Sequence, residues 1–458
     1  MQMKEYGNII IGFGKGGKTL AGALASKGEK TALIERSDKM YGGTCINVAC
    51  IPSKFLENNA RMSAAEGGSF QEKADRYRKV IEEKRQLTAE LRQKNYNKAV
   101  GAGVEVLTGT AAFLDDHRIL VTYPEGNTEE LYGKRIFINT GGTPFVPSIT
   151  GLKESRYAYT SEGMMELEEL PEKLLIIGGG YIGLEFASYY TNFGSQVTIV
   201  QDGEAFIPRE DEEVSAAVLE HMAAAGMRIL RKAAVTAVRD ENGKAIASIR
   251  TEGGEEELSV DAILVATGRR PNLAELHPER AGIELTQRGA VKTDEGLRTS
   301  VPHIWAMGDV AGGLQFTYIS LDDSRIVKSQ ILGDGSRTTA NRGAVPYSVF
   351  LDPPLSRVGM TEAEARKAGY EVKTARLQMA AVPKARVLKA TAGMMKAVID
   401  GKTGLILGAH LYCAESYEII NLFKLAMDAG IPYTVLRDNI YTHPTMSEAL
   451  NDLFTAVN

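Results

Sequence analysis

Cysteine is scarce: three residues in a chain of 458, an odd number. Secreted disulfide scaffolds are dense in cysteine and pair it, so that class is excluded and any disulfide here is expected to be catalytic. Long apolar runs are also missing. None approaches the roughly 18 residues of a spanning helix, and Asn8-Ile9-Ile10-Ile11-Gly12 reads as a first strand. The first residues carry no basic, apolar and small-residue series of a secretory leader. A cytoplasmic protein without a membrane partner is expected. Blocks of one charge are absent too: 53 Lys+Arg against 58 Asp+Glu leave a net charge of −5. With no basic patch, no nucleic-acid partner is expected. Of the six histidines none stands at metal-ligand spacing, so no metal site is expected.

Glycine is plentiful, and two of its clusters share one context. Gly12-Phe13-Gly14-Lys15-Gly16-Gly17 follows the strand-like Ile9-Ile10-Ile11, and Gly178-Gly179-Gly180-Tyr181-Ile182-Gly183 follows Leu174-Leu175-Ile176-Ile177. Each opens an Ala-rich helical pattern and then a second strand, Thr31-Ala32-Leu33-Ile34-Glu35 or Gln196-Val197-Thr198-Ile199-Val200-Gln201. That is the βαβ dinucleotide fingerprint. Gly12 and Gly178 allow the tight turn, Gly14 and Gly180 let backbone N–H groups approach a pyrophosphate, and Gly17 and Gly183 let helix and strand pack. Glu35 ends its strand near the spacing of a ribose-binding carboxylate. The turns at Thr140-Gly141 and Thr267-Gly268 repeat a further landmark in each half.

The first half is the longer, and its extra length holds Gly43-Thr44-Cys45-Ile46-Asn47-Val48-Ala49-Cys50-Ile51-Pro52-Ser53-Lys54 and a polar, helix-rich stretch over about 55–100. Beside a nucleotide cofactor, two nearby thiols read as a redox centre. A disulfide needs Cα atoms within about 7 Å, so the segment must depart from a regular helix. Pro52 fits a helix start after the pair, and the helix N-terminus would stabilise a thiolate at Cys50. From about Gly343 the pattern changes to alternating strands, with helices expected over 361–368, 416–428 and 445–456. The expected domains are 1–150, 151–270, a return to the first over 271–342, and an α+β domain over 343–458. The fold class is α/β: two Rossmann-like dinucleotide-binding domains and a C-terminal α+β domain. Cys413 has no cysteine neighbour and reads as a buried small side chain.

These motifs together resemble the class I pyridine nucleotide-disulfide oxidoreductases, over essentially the whole chain. Ile304-Trp305-Ala306-Met307-Gly308-Asp309 and His443-Pro444-Thr445-Met446-Ser447-Glu448 add to the resemblance. It implies FAD at the first glycine loop, with Glu35, Gly43, Thr44, Thr140, Gly141 and Asp309 among its ligands. It implies NADPH or NADH at the second, with Tyr181 over the nicotinamide pocket, and with Gln201 and Gly268. Cys45 is implied as the interchange thiol and Cys50 as the thiol against the flavin. Lys54 and Glu185 resemble the buried pair near flavin and nicotinamide. The C-terminal domain implies a homodimer in which His443, oriented by Glu448, faces the other subunit's disulfide. Thr445-x-x-Glu448 also fits a capping box, so Glu448 has a second, structural reading.

Departures narrow the family. The chain ends without the C-terminal cysteine pair of mercuric reductases or large thioredoxin reductases. Gln201-Asp202 offers neither the arginines of glutathione reductase nor the acid of a strict NADH enzyme, so the nicotinamide preference stays open. Phe316-Thr317-Tyr318-Ile319-Ser320-Leu321-Asp322-Asp323-Ser324-Arg325, Pro208-Arg209-Glu210-Asp211 and Cys413 before Ser416-Tyr417-Glu418 resemble the reactive-chlorine-resistance flavoproteins, which include hypothiocyanous acid reductases. Ala49 stands where a glycine is common. The resemblance implies electrons passing from NAD(P)H through FAD and Cys45–Cys50 to a small oxidant, hypothiocyanous acid, in oxidative-stress defence. Dihydrolipoamide dehydrogenase, copper(II) or mercuric ion reduction, and a non-enzymatic redox sensor are the alternatives.

Overall fold

A computed structural model describes residues 3–458. The chain divides into two compact units: residues 1–55, 79–145 and 268–342, and residues 56–78, 146–267 and 343–458.

The first unit is built on a seven-stranded sheet. Its parallel part runs Glu105–Thr108, Thr31–Glu35, Lys4–Ile11, Thr128–Ile138, and Ile304–Ala306 also pairs with Thr128–Ile138. Arg118–Thr122 and Thr110–Phe113 continue it antiparallel. Alternate residues leave opposite faces of a strand, and both faces are covered. Ile9, Ile11, Ile34, Ile136, Ile138 and Ile304 pack on one side. Ile10, Leu33, Phe137 and Trp305 pack on the other, with Leu20, Ala21 and Leu24 of the helix Lys15–Ala25. Each such large side chain contributes about 1.5–3 kcal/mol on burial. These apolar runs therefore set where the glycine loop leaves the sheet.

The second unit repeats the parallel arrangement: Arg228–Leu230, Gln196–Val200, Lys173–Ile177, Ala262–Val265 and Ala158–Thr160. An antiparallel meander, Ala234–Glu241, Lys244–Thr251 and Gly254–Val260, lies in sequence between Arg228–Leu230 and Ala262–Val265. The C-terminal part is a five-stranded antiparallel sheet in the order Tyr347–Val349, Leu355–Gly359, Ile406–Tyr412, Met394–Asp400, Val372–Gln378. Helices Ser416–Asp428 and Ala449–Thr455 close its core through Ile419, Phe423, Leu450 and Phe454.

Two local expectations shift. The helix after the cysteines starts at Cys50, two residues before Pro52, and runs to Glu66. Proline is tolerated there because first-turn N–H groups need no intrahelical partner. The last helix begins at Ala449, later than 445. Thr445 Oγ1 accepts the Glu448 N–H at 3.2 Å, but the Glu448 carboxylate is bound to His443 and does not complete the box.

Candidate active site

The first glycine loop is tied to its surroundings by side chains from distant segments. Gly12 has φ +105°, and a Cβ there would collide with the Asn139 carbonyl oxygen. Only glycine fits both demands. Asn139 Oδ1 accepts the Gly17 N–H at 2.8 Å, and its Nδ2 donates to the Met307 carbonyl at 2.7 Å. Ser320 Oγ accepts the Gly16 N–H at 3.1 Å. A Cβ on Gly14 would press on Asn139 Oδ1 at 2.6 Å. Asn139 and Ser320 thus shape the loop. Both lie inside recognisable runs, yet neither residue type singles itself out in the sequence.

Around this loop the residues fit a flavin adenine dinucleotide. Glu35 is buried and accepts the Phe13 N–H at 3.0 Å. Burial raises its pKa, partly opposed by that hydrogen bond. Thr140 Oγ1 is buried without a hydrogen-bond partner among the described residues, as suits an atom kept for a ligand. Gly141 follows at φ +72°. Asp309 sits in the 3₁₀ turn Gly308–Ala311, and burial raises its pKa despite the nearby Arg269. Gly43 and Thr44 open the redox segment, with the Gly43 backbone packed beside Gly14. Glu35, Thr140 and Asp309 would bind the hydroxyls of the group, and the loop N–H groups its pyrophosphate.

The redox segment is broken as the disulfide geometry requires. A single turn, Thr44–Asn47, ends before the helix Cys50–Glu66 begins. Cys45 and Cys50 are both half-buried and not joined in a disulfide, and Cys45 hydrogen-bonds Cys50. That bond, and then burial, push the Cys45 thiol above the ordinary thiol range. Cys50 is the first residue of its helix, where the dipole favours an anion. Thr317 Oγ1 lies 3.4 Å from Cys50 Sγ. Lys18 Nζ donates to Asn95 Oδ1 at 2.6 Å and the Gly42 carbonyl at 3.1 Å. Burial and then Lys15 lower the Lys18 pKa to about 8, opposed by Cys45. Lys18 and Thr317 went unmarked as partners of the thiols, since neither contact is local in sequence. Lys54 is half-buried beside Ser53 Oγ, 3.3 Å away.

In the second unit, a Cβ on Gly178 would meet the Ala266 carbonyl at 2.5 Å, repeating the geometry of Gly12. Gly183 lies against the Gly178 carbonyl in the same way, and Gly180 faces open space. Gln201 Nε2 donates to the Gly203 and Ala205 carbonyls, each at 3.0 Å. Its Oε1 faces Gly179, leaving an acceptor toward the loop. Tyr181 begins the helix Tyr181–Phe193, and its hydroxyl donates to Glu210. Tyr347 donates to the same Glu210 oxygen at 2.6 Å, while the other oxygen is buried without a hydrogen bond. Burial and then the Glu210 charge keep both phenols protonated. Glu185 Oε1 accepts the Phe350 N–H at 2.9 Å. Gly268, in the first unit, has φ +112°.

His443 is 73% exposed, and its Nδ1 stands 2.9 and 3.1 Å from the two Glu448 oxygens. A carboxylate only accepts, so Nδ1 donates, and Nε2 is the ring nitrogen on the side away from Glu448. Cys413 is fully buried, and burial raises its pKa.

Two family models match the chain: pyridine nucleotide-disulphide oxidoreductase over residues 6–324, and the dimerisation domain of the same family over residues 345–454. The chain is 48% identical over 456 residues to the Escherichia coli protein named "probable pyridine nucleotide-disulfide oxidoreductase RclA", covering 99% of this chain and all of the other. A Bacillus subtilis dihydrolipoyl dehydrogenase is 32% identical, over 97% of this chain and 94% of its own. A Staphylococcus aureus mercuric reductase is 34% identical, over 97% and 81%. The solved Cu(II) complex of the HOCl-induced flavoprotein disulfide reductase RclA from Escherichia coli superposes with a TM-score of 0.93 at 47% identity, covering 99% of each chain.

Proposed function

This chain belongs to the pyridine nucleotide-disulphide oxidoreductase family, and from that premise we propose that it reduces hypothiocyanous acid to thiocyanate as a cytoplasmic homodimer. It is a flavoprotein disulfide reductase of the RclA type, using FAD and NAD(P)H. The observation that carries the proposal is the dithiol itself: Cys45 and Cys50 together and half-buried in the broken segment, with Cys50 first in its helix. The chemistry that FAD supplies when bound is an electron pair from NAD(P)H, delivered to the Cys45–Cys50 disulfide.

A raised Cys45 pKa means the attacking thiol needs a base. The His443 imidazole of a second copy, oriented by Glu448, takes its proton. Cys45 Sγ then attacks the sulfur of hypothiocyanous acid, and the S–O bond breaks. The proton on His443 passes to the departing hydroxide, giving water. Cys50, as a thiolate, attacks Cys45 Sγ, the disulfide forms and thiocyanate leaves. The dithiol loses two electrons and the oxidant gains them. That the Escherichia coli relative is HOCl-induced supports a small oxidant. The Cu(II) complexes of that relative favour copper(II) reduction as a second reading.

The test is anaerobic oxidation of NADH and NADPH with hypothiocyanous acid, beside lipoamide, glutathione disulfide and copper(II). Fast turnover with hypothiocyanous acid, lost in Cys45→Ser, is expected. Faster turnover with lipoamide or copper(II) would replace this acceptor with that one.

A further inference from the structure

Glu210 is a buried carboxylate held between two phenols that lie far apart in the sequence. Tyr181 opens the helix Tyr181–Phe193, and Tyr347 opens the strand Tyr347–Val349. Both hydroxyls donate to Oε1, and the two hydroxyl oxygens are 3.3 Å apart. The ring centroids are 5.7 Å apart and the rings 34° from parallel. Oε2 is buried and has no hydrogen bond among the described residues. All three residues belong to the second unit.

The carboxylate is fixed independently of the phenols. The Glu210 N–H donates to the Ile207 carbonyl at 3.0 Å, closing a turn in which Ile207 takes φ +37°. A β-branched residue adopts that conformation only where its surroundings impose it. Asp211, next in sequence, caps the helix Glu212–Ala224 through the Glu213 N–H at 3.2 Å and accepts Lys396 Nζ at 2.9 Å. On the other side, the Arg209 carbonyl accepts from Arg357, the residue directly opposite Tyr347 in its strand pair. Arg357 also reaches Glu364, so its guanidinium is itself anchored. Backbone contacts and strand register therefore bring Tyr347 to Glu210 without help from Tyr181.

A carboxylate with a purely structural task is best satisfied by a donor on each oxygen. Here both donors share one oxygen and the other is idle. That arrangement suits exchange. When one phenol departs, the other still holds the same oxygen, and the buried charge avoids the costly state without a donor. The phenol that departs is Tyr181, because a nicotinamide entering the pocket beneath it displaces its ring. We propose that Glu210 and Tyr347 are positioning residues: Glu210 latches Tyr181 closed, Tyr347 lowers the cost of its release, and together they set the affinity for the nicotinamide end of NAD(P)H. The proposal rests on Tyr181 lying over the nicotinamide pocket. A hydrogen bond to a charged acceptor is about twice as strong as a neutral one, so Glu210 favours the closed state. Tyr347 competes for Oε1 and stays behind, so it favours the open state. The two residues act in opposite directions.

The test is calorimetric titration of oxidised holoenzyme with NAD⁺ and ADP-ribose, and with NADP⁺ and 2′-phospho-ADP-ribose. The second ligand of each pair lacks the nicotinamide and does not require Tyr181 to move. The ratio of the two dissociation constants therefore isolates the latch, since an apparent constant scales inversely with the fraction of open protein. Measured by that ratio, Glu210→Gln and Tyr181→Phe should bind the dinucleotide roughly tenfold more tightly, and Tyr347→Phe roughly tenfold more weakly, the scale of one hydrogen bond to a charged group. A merely structural residue would change both ligands alike. Unaltered ADP-ribose affinity shows that a variant is folded. Should Glu210→Gln lose its fold, Tyr181→Phe removes the same bond from its other end. Unchanged ratios, or shifts of one sign in Glu210→Gln and Tyr347→Phe, overturn the latch. Tyr181→Ala tells the two failures apart. If it alone changes the ratio, Tyr181 covers the nicotinamide and only the latch is wrong. If it too leaves the ratio unchanged, the cover itself fails and the latch with it.

Discussion

Glu448 has two oxygens and one imidazole nitrogen between them, and that choice separates orientation from helix capping. Glu448→Gln keeps a side chain of the same shape but removes the charge that polarises His443. The expected outcome is a fall in kcat of about 10²–10⁴-fold, the range of a lost general base, with the far-ultraviolet spectrum and melting temperature retained. Unchanged turnover would reduce Glu448 to a structural residue. Lys18 permits a second test at this scale. Its charge favours the Cys45 thiolate, so Lys18→Met should raise the Cys45 pKa further. Alkylation of the reduced enzyme by iodoacetamide, followed against pH, should shift to higher pH than in the unsubstituted protein. Gln201→Glu adds a third: a carboxylate facing the ribose repels a 2′-phosphate. The ratio of kcat/KM for NADH over NADPH should rise by roughly tenfold or more, which is 1.4 kcal/mol of discrimination.

Elements carried the readable part of this molecule. The two glycine loops announce themselves because each strand, turn and helix start is local, and the cysteine segment because four residues separate the thiols. The helix Ser416–Asp428 has the bounds its apolar spacing implies. Asn139 and Ser320 are 181 residues apart and become partners only when strand and helix dock. Glu210 meets Tyr347 across 137 residues, and His117 stacks on His303, a residue from a distant segment. The strand Ile406–Tyr412 supplies a further case. His410 is buried there, with Nε2 donating to the Met360 carbonyl at 3.0 Å and Nδ1 unpartnered. Burial, chiefly, lowers its pKa to about 4 from 6.5. The unfolded chain therefore binds the proton first as pH falls. His410 stability is intact above pH 6.5 and is lost progressively down to pH 4, an effect of about 3 kcal/mol. His410→Gln should flatten the melting-temperature profile over that interval; an unaltered slope would assign the acid sensitivity to other groups.

At the scale of the whole molecule, the dimerisation domain matched over residues 345–454 carries His443, the proposed base, and the first unit carries the thiols. Complementation tests whether a site draws on two copies. Cys45→Ser and His443→Ala chains should each be inactive alone. Co-expressed at random, half the dimers are mixed, and each mixed dimer holds one intact site of two. The mixture should recover about a quarter of full activity if sites cross a two-fold interface, and none if each chain serves itself. The Nε2 of His443 then has a consequence for how the enzyme behaves in a tube. A proton acceptor that belongs to another molecule makes turnover per chain a function of dilution. Below the dissociation constant of the pair, activity should fade while every chain stays folded and flavin-loaded, and concentrating the same sample should bring it back.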